Sequence, residues 1–311
     1  MATHNRIACL FLLLLLVHLP AGDVTAREKA EQNVITFEVG LVRISTLSEG
    51  QQSGNVNVLK GATPEMLRTH LPEGNYPTAI NAFLVRTEDK NILVDAGLGR
   101  LLTDNLQSLG ITPQQIDVIL LTHMHGDHIG GLLRDEQTVF PDAELYLAQA
   151  EHDYWMSDQA MQQAGPDRRN GFLQARKVIA AYGERLHLFT PHEAGNGRSE
   201  LMPGIQGIAA YGHTPGHTAY LIESDNESLL IWGDLTHATA IQMPCPDVAV
   251  IYDINPVQAV ESRKKILEYA VGNNLSIAGM HIAFPAVGEV IRTENKAGSY
   301  TFAPFCLCLG I

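Results

Sequence analysis

The 311-residue sequence predicts an α/β fold, two β-sheets packed together with helices on the outside. Three observations predict it. Strand-like runs occur in both halves of the chain with helical segments between them, the pattern of sheets covered by helices. Hydrophobic residues make up 45% of the chain and charged residues 18%, which is enough apolar surface for a packed core. No repeat with a period of about 20–50 residues and no Gly/Ser- or Pro-rich linker divides the sequence, so residues 27–311 read as a single domain.

Residues 1–26 stand apart from that domain. Arg6 supplies a positive start, and Ile7 to Leu19 is apolar except for Cys9 and His18. Pro20-Ala21-Gly22 breaks the run, and Val24-Thr25-Ala26 has the small residues of a signal-peptidase site. A spanning helix needs about 20 apolar residues. This run is shorter, so a cleaved signal peptide is expected rather than a retained anchor. No other long apolar segment follows, so the mature chain is expected to be periplasmic or secreted, with no stable membrane association. Cleavage removes Cys9 and leaves Cys245, Cys306 and Cys308. That odd number implies a free thiol or a bridge between chains, and a homodimer stays open.

The elements then follow in order. Val34 to Ile44 alternates loosely and reads as strand, with a second short strand over Asn55 to Leu59. Residues 60–79 carry Gly61, Pro64, Pro72, Gly74 and Pro77, which predicts loop with one short helix near Glu65 to Thr69. Ala82 to Arg86 and Asn91 to Val94 are β-rich, joined by the polar turn Thr87-Glu88-Asp89-Lys90. Leu102, Leu106 and Leu109 fall on one helical face. Thr112-Pro113-Gln114-Gln115 has capping-box form. Asp117 to Leu121 reads as a buried strand. Residues 143–148 are strand and 149–182 helical, with a break at Gly165-Pro166. Leu186 to Phe189, Ile205 to Ala210, Thr218 to Glu223 and Ser228 to Trp232 are strands. Asn255-Pro256 opens a helix through Val271, with Val257, Val260, Ile266, Leu267 and Ala270 as its apolar face. Ser276 to Gly279 is a short strand, and the apolar tail from Phe302 reads as another.

Lys and Arg number 21 against 34 Asp and Glu, a formal charge of −13. Such a chain lacks the basic face a nucleic-acid binder uses to displace counterions, and it is ill suited to anionic lipid. A small-molecule substrate is the expected partner.

The 13 histidines matter through their placement. Thr122-His123-Met124-His125-Gly126-Asp127-His128 sets four potential metal ligands directly after an apolar strand. In an irregular turn His123 and His125 can point one way, and Asp127 and His128 to an adjacent position. That suits two cations a few ångströms apart. Without a cation, these imidazoles and the carboxylate would carry unmet desolvation and repulsion. Further ligand types follow or precede strands in the same manner: His213 and His217 in Gly212-His213-Thr214-Pro215-Gly216-His217-Thr218, Asp234 after Gly233, and His281 after Met280.

This succession of motifs resembles the metallo-β-lactamase superfamily. The likeness runs from about Ile80 to Pro285, and Ile92-Leu93-Val94-Asp95-Ala96-Gly97 resembles that family's first motif. The resemblance implies an αβ/βα sandwich of two mixed sheets, with the metals at one edge. It also implies ligand sets: His123, His125 and His217 for one ion; Asp127, His128 and His281 for the other; Asp234 bridging. Asp127 and Asp234 become the candidate catalytic carboxylates. Asp95 and His237 are expected to support the ligands by hydrogen bonds, as is His213.

Two divalent ions with nitrogen and oxygen ligands can share a water and lower its pKa towards neutrality, giving a hydroxide nucleophile without Ser or Cys. No thiolate joins the set; zinc is the default, and iron, manganese or cobalt suit the same ligands. Asp234 after Gly233, together with Asn81-Ala82-Phe83-Leu84-Val85, Gln242-Met243-Pro244 and His281-Ile282-Ala283-Phe284-Pro285, looks closest to methyl parathion hydrolase and related lactonases. The expected activity is hydrolysis of an ester-like bond in a lactone, carboxyl ester or organophosphate triester. β-Lactam and thioester hydrolysis are the alternatives on the same fold. Phe83, Trp155, Phe172 and Phe284 are the candidate pocket walls.

Overall fold

The computed structural model describes residues 33–306, except 198, 199 and 295. The leader-like segment 1–26 and Cys308 lie outside the described residues. The first half of the chain forms a seven-stranded sheet: β1 (Val34–Val39), β2 (Val42–Asn55), β3 (Asn75–Arg86), β4 (Asn91–Val94), β5 (Val118–Leu120), β6 (Glu144–Ala148) and β7 (Leu186–Phe189). The second half forms another seven-stranded sheet: β8 (Glu200–Met202), β9 (Ile205–Ala209), β10 (Thr218–Ser224), β11 (Glu227–Ile231), β12 (Ser276–Ala278), β13 (Val287–Arg292) and β14 (Tyr300–Pro304). In each sheet the spatial order of the strands is their sequence order.

The helices are α1 (Pro64–His70), α2 (Leu102–Ser108), α3 (Gly126–Ile129), α4 (Gln149–Met156), α5 (Asp158–Gln163), α6 (Pro166–Tyr182), α7 (Thr239–Gln242) and α8 (Pro256–Gly272). Strands β1 to β4 pair antiparallel, whereas β4, β5, β6 and β7 run parallel, joined through α2, α3 and the helical insert α4–α6. In the second sheet only the β11–β12 pair is parallel, and α8 makes that crossover. Both sheets are therefore mixed, as the sequence predicts. Among the described residues no helix is long and apolar enough to cross a membrane.

Strand alternation divides the core into two layers. Phe83, Val85, Ile92, Val94, Val118 and Leu120 face the second sheet, while Ala82, Leu84, Leu93 and Ile119 face outward under α2 and α6. Helix α8 covers the far side of the second sheet with Ile266, Leu267 and Ala270. Its predicted face is rotated: Val257 is 68% exposed, and Ala259 and Arg263 are buried in its place.

Three local expectations are revised. Val34 to Ile44 is a hairpin rather than one strand, turning at Gly40. Asn55 to Leu59 is mostly a helical turn over Val56–Val58. Residues 75–79, expected as loop, extend β3 and pair with residues 51–55 of β2. Cross-strand pairing holds this polar arm, and Gly54 permits it: a Cβ there would stand 2.2 Å from the Tyr76 ring. The arm, α1 and α7 enclose a small apolar cluster containing Cys245, whereas Cys306 is exposed.

Candidate metal centre

The ligand-bearing segments converge at one edge of the two sheets. Asp95 follows β4, the histidine motif follows β5, His213 lies between β9 and β10, Asp234 follows β11 and His281 follows β12. Asp95 takes a left-handed conformation with φ of 58°. Its Oδ1 accepts the Thr122 N–H at 2.8 Å, and its Oδ2 accepts the Thr122 hydroxyl at 2.6 Å and contacts His128 Nδ1 at 2.6 Å. The first-sheet strand end thus sets the ring of His128 through a carboxylate, as a supporting partner of a ligand does.

Asp234 sits at the centre. Its Oδ2 lies 3.2 Å from His213 Nε2, 3.0 Å from His281 Nε2, 3.1 Å from His237 Nε2 and 3.7 Å from His123 Nε2, and its Oδ1 lies 3.2 Å from His128 Nε2. On one side His123 Nε2 and His213 Nε2 lie 3.0 and 2.9 Å from His125 Nδ1. On the other, Asp127 lies 3.8 Å from His128 Nε2 and 3.4 Å from His281 Nε2. The structure therefore gathers His123, His125, His213 and Asp234 in one set and Asp127, His128 and His281 in a second, with His237 joining Asp234 and His281.

One predicted ligand is displaced. His217 does not enter either set; His213, four residues earlier, does. The His217 ring is turned inward: Nδ1 donates to the Ala210 carbonyl at 2.9 Å, and Nε2 accepts the Asp234 backbone N–H at 2.9 Å. Burial, then His213, lower its pKa to about 3, so it stays neutral in that tautomer. Gly233 makes room for it, since a Cβ there would stand 2.5 Å from His217 Nε2. His217 holds the backbone that carries Asp234, and His213 takes the place expected for it.

The donor set fits cations. His128 Nε2 and Asp234 Oδ1 are buried and neither makes a well-formed hydrogen bond, a costly arrangement unless an ion satisfies both. Burial pushes His123 and His125 well below the ordinary imidazole value, the neutral form that ligates. Burial opposes ionisation of Asp234, but the imidazoles of His128, His281, His123 and His237 hold its carboxyl well below the usual range. At His128 burial opposes charge, yet Asp234, Asp95 and Asp127 draw its pKa well above normal, so the cluster calls for positive charge.

Sequence reasoning missed two supports. Asp253 Oδ1 lies 2.9 Å from His213 Nδ1, and its Oδ2 accepts the Val250 N–H at 2.9 Å. Glu151, on α4, is fully buried. Its carboxylate accepts Met124 N–H at 3.0 Å, Trp155 Nε1–H at 2.6 Å and Gly216 N–H at 2.9 Å. It ties the histidine motif to the His213–His217 loop.

A cavity of about 590 Å³ opens above the cluster, lined by Tyr76, Tyr154, Trp155, Phe172, Tyr252 and Ile254 around His125, Asp127, Asp234, His237 and His281. Trp155 and Phe172 are among the lining residues. Phe83 is not: it points between the sheets and is fully buried in their core. Phe284 lines a different cavity, of about 790 Å³, beside Pro244 and Tyr300. His152 pairs with Asp153 near the surface, and Tyr182 is packed in the outer core.

The chain belongs to the metallo-beta-lactamase superfamily, whose family model matches residues 75–270. Fold and site together define a metal-dependent hydrolase of that superfamily. Among solved structures it is similar to the hydrolase AbOPH of the beta lactamase superfamily, with 29% identity and a TM-score of 0.78 over 88% of this chain and 97% of that one. It is also similar to AidC, a dizinc quorum-quenching lactonase solved with a product, N-hexanoyl-L-homoserine. Identity there is 27% and the TM-score 0.77, over 88% of this chain and 97% of AidC. The probable metallo-hydrolase YqgX of Bacillus subtilis is 30% identical over 161 residues, 51% of this chain and 67% of that protein. The uncharacterized protein YobT of Bacillus subtilis is 30% identical over 156 residues, 50% of this chain and 61% of YobT.

Proposed function

We propose that the protein hydrolyses an ester-like bond in a small molecule, a lactone, carboxyl ester or organophosphate triester, with two divalent ions at this centre. The observation that carries the reading is Asp234. One carboxylate stands between two sets of imidazole and carboxylate donors, within 3.7 Å of a nitrogen from each of five histidines. His123, His125 and His213 would hold one ion, Asp127, His128 and His281 the other, and Asp234 both. When bound, the pair would supply Lewis acidity for the C=O or P=O and an acidified water as nucleophile. Zinc suits the all-N/O donor set and is the default; iron, manganese or cobalt would suit the same ligands.

The chain's own residues do the rest. Asp95 and Asp253 hold His128 and His213 in place through their Nδ1 atoms. The cavity volume lies in the range of small-molecule sites, about 300–1,000 Å³, and part of its wall is aromatic. Residues 1–26 support export, so the proposed place of action is the periplasm or beyond.

The test is a parallel screen of acyl-homoserine lactones, aryl esters and paraoxon-type triesters, with metal analysis on the same sample. About two metal equivalents are expected, together with turnover of at least one class, lost on chelation and in Asp234→Ala. Activity indifferent to chelation, or protein that purifies metal-free and cannot be loaded, would refute the reading.

A further inference from the structure

The cavity above the metal centre has a second polar end. Arg168, in the first turn of α6, is the only Lys or Arg among the described residues that line it. The residue is exposed, at the rim. Its Nη2 donates to the Ile251 carbonyl at 2.8 Å, which fixes the guanidinium across the mouth, between the helical insert and the turn bearing Tyr252. Nε and Nη1 make no hydrogen bond to any described residue, and no described carboxylate lies within ion-pair distance. The isolation holds among the described residues, in a chain that carries 34 acidic residues. The carboxylates that line the cavity, Asp127 and Asp234, both belong to the metal centre. Tyr154, Trp155, Phe172 and Ile254 supply an apolar and aromatic part of the wall, and Gln52, Ser53, Asn55 and Thr78 a polar part.

An arginine with an anchored plane and free donors is built to take a carboxylate, which it binds through paired N–H bonds. Resting on the hydrolase reading above, we infer that Arg168 is a specificity-determining residue, and that the preferred substrates are esters or lactones whose far end carries a single carboxylate. The scissile carbonyl lies at the metal centre, the carbon chain along the aromatic wall, and the distal carboxylate on Arg168 at the mouth. The acidic surface repels such an anion, so the guanidinium gives its charged end one favourable place to stop.

The test uses metal-loaded protein and matched 4-nitrophenyl esters. Monoesters of glutaric, adipic and suberic acid, with a free terminal carboxylate, are compared with neutral alkanoates of equal length. At the best length the wild type should favour the carboxylated ester by about tenfold in kcat/KM, a single charge-assisted contact. Arg168→Gln should bring the ratio of the two specificity constants close to one, with the change in KM, and Arg168→Lys should retain part of it. Raised salt should shrink the wild-type ratio. Calorimetric binding of adipate against hexanoate supplies a readout that needs no turnover. Stronger adipate binding that vanishes in Arg168→Gln, in a protein that hydrolyses no ester, would refute the ester reading and leave the anion site standing. Equal affinities for diacid and monoacid, or a preference that survives Arg168→Gln with its melting temperature intact, would overturn the inference.

Discussion

Replacing Glu151 tests whether a single buried carboxylate sets the geometry of both ligand loops. Three N–H groups donate to it, Met124 N–H and Trp155 Nε1–H on Oε1 and Gly216 N–H on Oε2, and the Thr214 hydroxyl adjoins it. Burial raises the pKa of Glu151, and the Thr214 hydroxyl, then the Trp155, Met124 and Gly216 N–H groups, pull against that rise, because an ionised carboxylate accepts from all of them without presenting a proton. Glu151→Gln keeps the shape but must turn an amide NH₂ towards one donor. If the amide oxygen keeps Met124 and Trp155, Gly216 loses its acceptor and faces a like group. A lost bond to a charged acceptor contributes about 1.5–3 kcal/mol, and a buried orphaned donor costs a similar amount. Part is recovered because a neutral amide is easier to bury, which leaves a net loss of about 2–3 kcal/mol. Urea unfolding of the chelated protein reads this directly. Metal affinity, from chelator competition, should also fall, since Met124 lies between His123 and His125, and Gly216 lies on the loop that bears His213. A variant within about 0.5 kcal/mol of wild type, with unchanged metal affinity, would show that Glu151 is a passenger.

Three further outcomes are expected. His213→Ala should lower the metal content from about two equivalents towards one, whereas His217→Ala should keep both ions and instead lose about 2–3 kcal/mol, as the Asp234 N–H and the Ala210 carbonyl lose their partner; the opposite pattern in elemental analysis and unfolding would restore His217 as the ligand. Arg263→Met should lose about 3 kcal/mol, because the guanidinium donates to the Leu235, Pro246 and Val248 carbonyls and only Val248 retains another donor, Gln242 Nε2; equal stability would mean those carbonyls find other partners. In a bacterial host with a functional secretory pathway, N-terminal sequencing of exported protein should begin at Arg27, and an intact N-terminus on membrane-bound material would contradict the cleavage proposal.

The histidine motif was legible because its density cannot be reconciled with a metal-free loop, and each further ligand type sits next to a strand terminus. The choice between His213 and His217 was not legible. Both belong to one Gly-rich turn, and which ring faces the cluster depends on the β10 start at Thr218, which turns His217 beneath Gly233. Asp253, Glu151 and Arg263 were invisible for a different reason. Isolated polar residues in helices and turns read as solvent-facing, and all three are buried by parts of the chain remote in sequence. Phe83 was misplaced because β3 is covered on both faces, so an apolar run there carries no clear alternation. Arg168 gave no signal, since one exposed arginine in the first turn of a helix reads as solvent-facing.

The two sheets are locked together directly beneath the site, and this explains why ligands from both halves of the chain can hold one geometry. Asn81, on β3 of the first sheet, donates its side-chain amide to the Met280 carbonyl at 2.9 Å and the Ile282 carbonyl at 2.8 Å, on either side of His281. His281 in turn contacts the Ala79 carbonyl through Nδ1 at 2.9 Å. On the opposite side, the Thr218 N–H of the second sheet donates to the Thr122 carbonyl at 2.9 Å, and the Tyr220 hydroxyl donates to the Leu121 carbonyl at 2.7 Å. The segments carrying His123 and His281 are thus each bonded to the sheet they do not belong to. Metal affinity and sheet packing are consequently coupled: an ion held by donors from both halves favours the docked sheets, and the docked sheets present the donors already assembled.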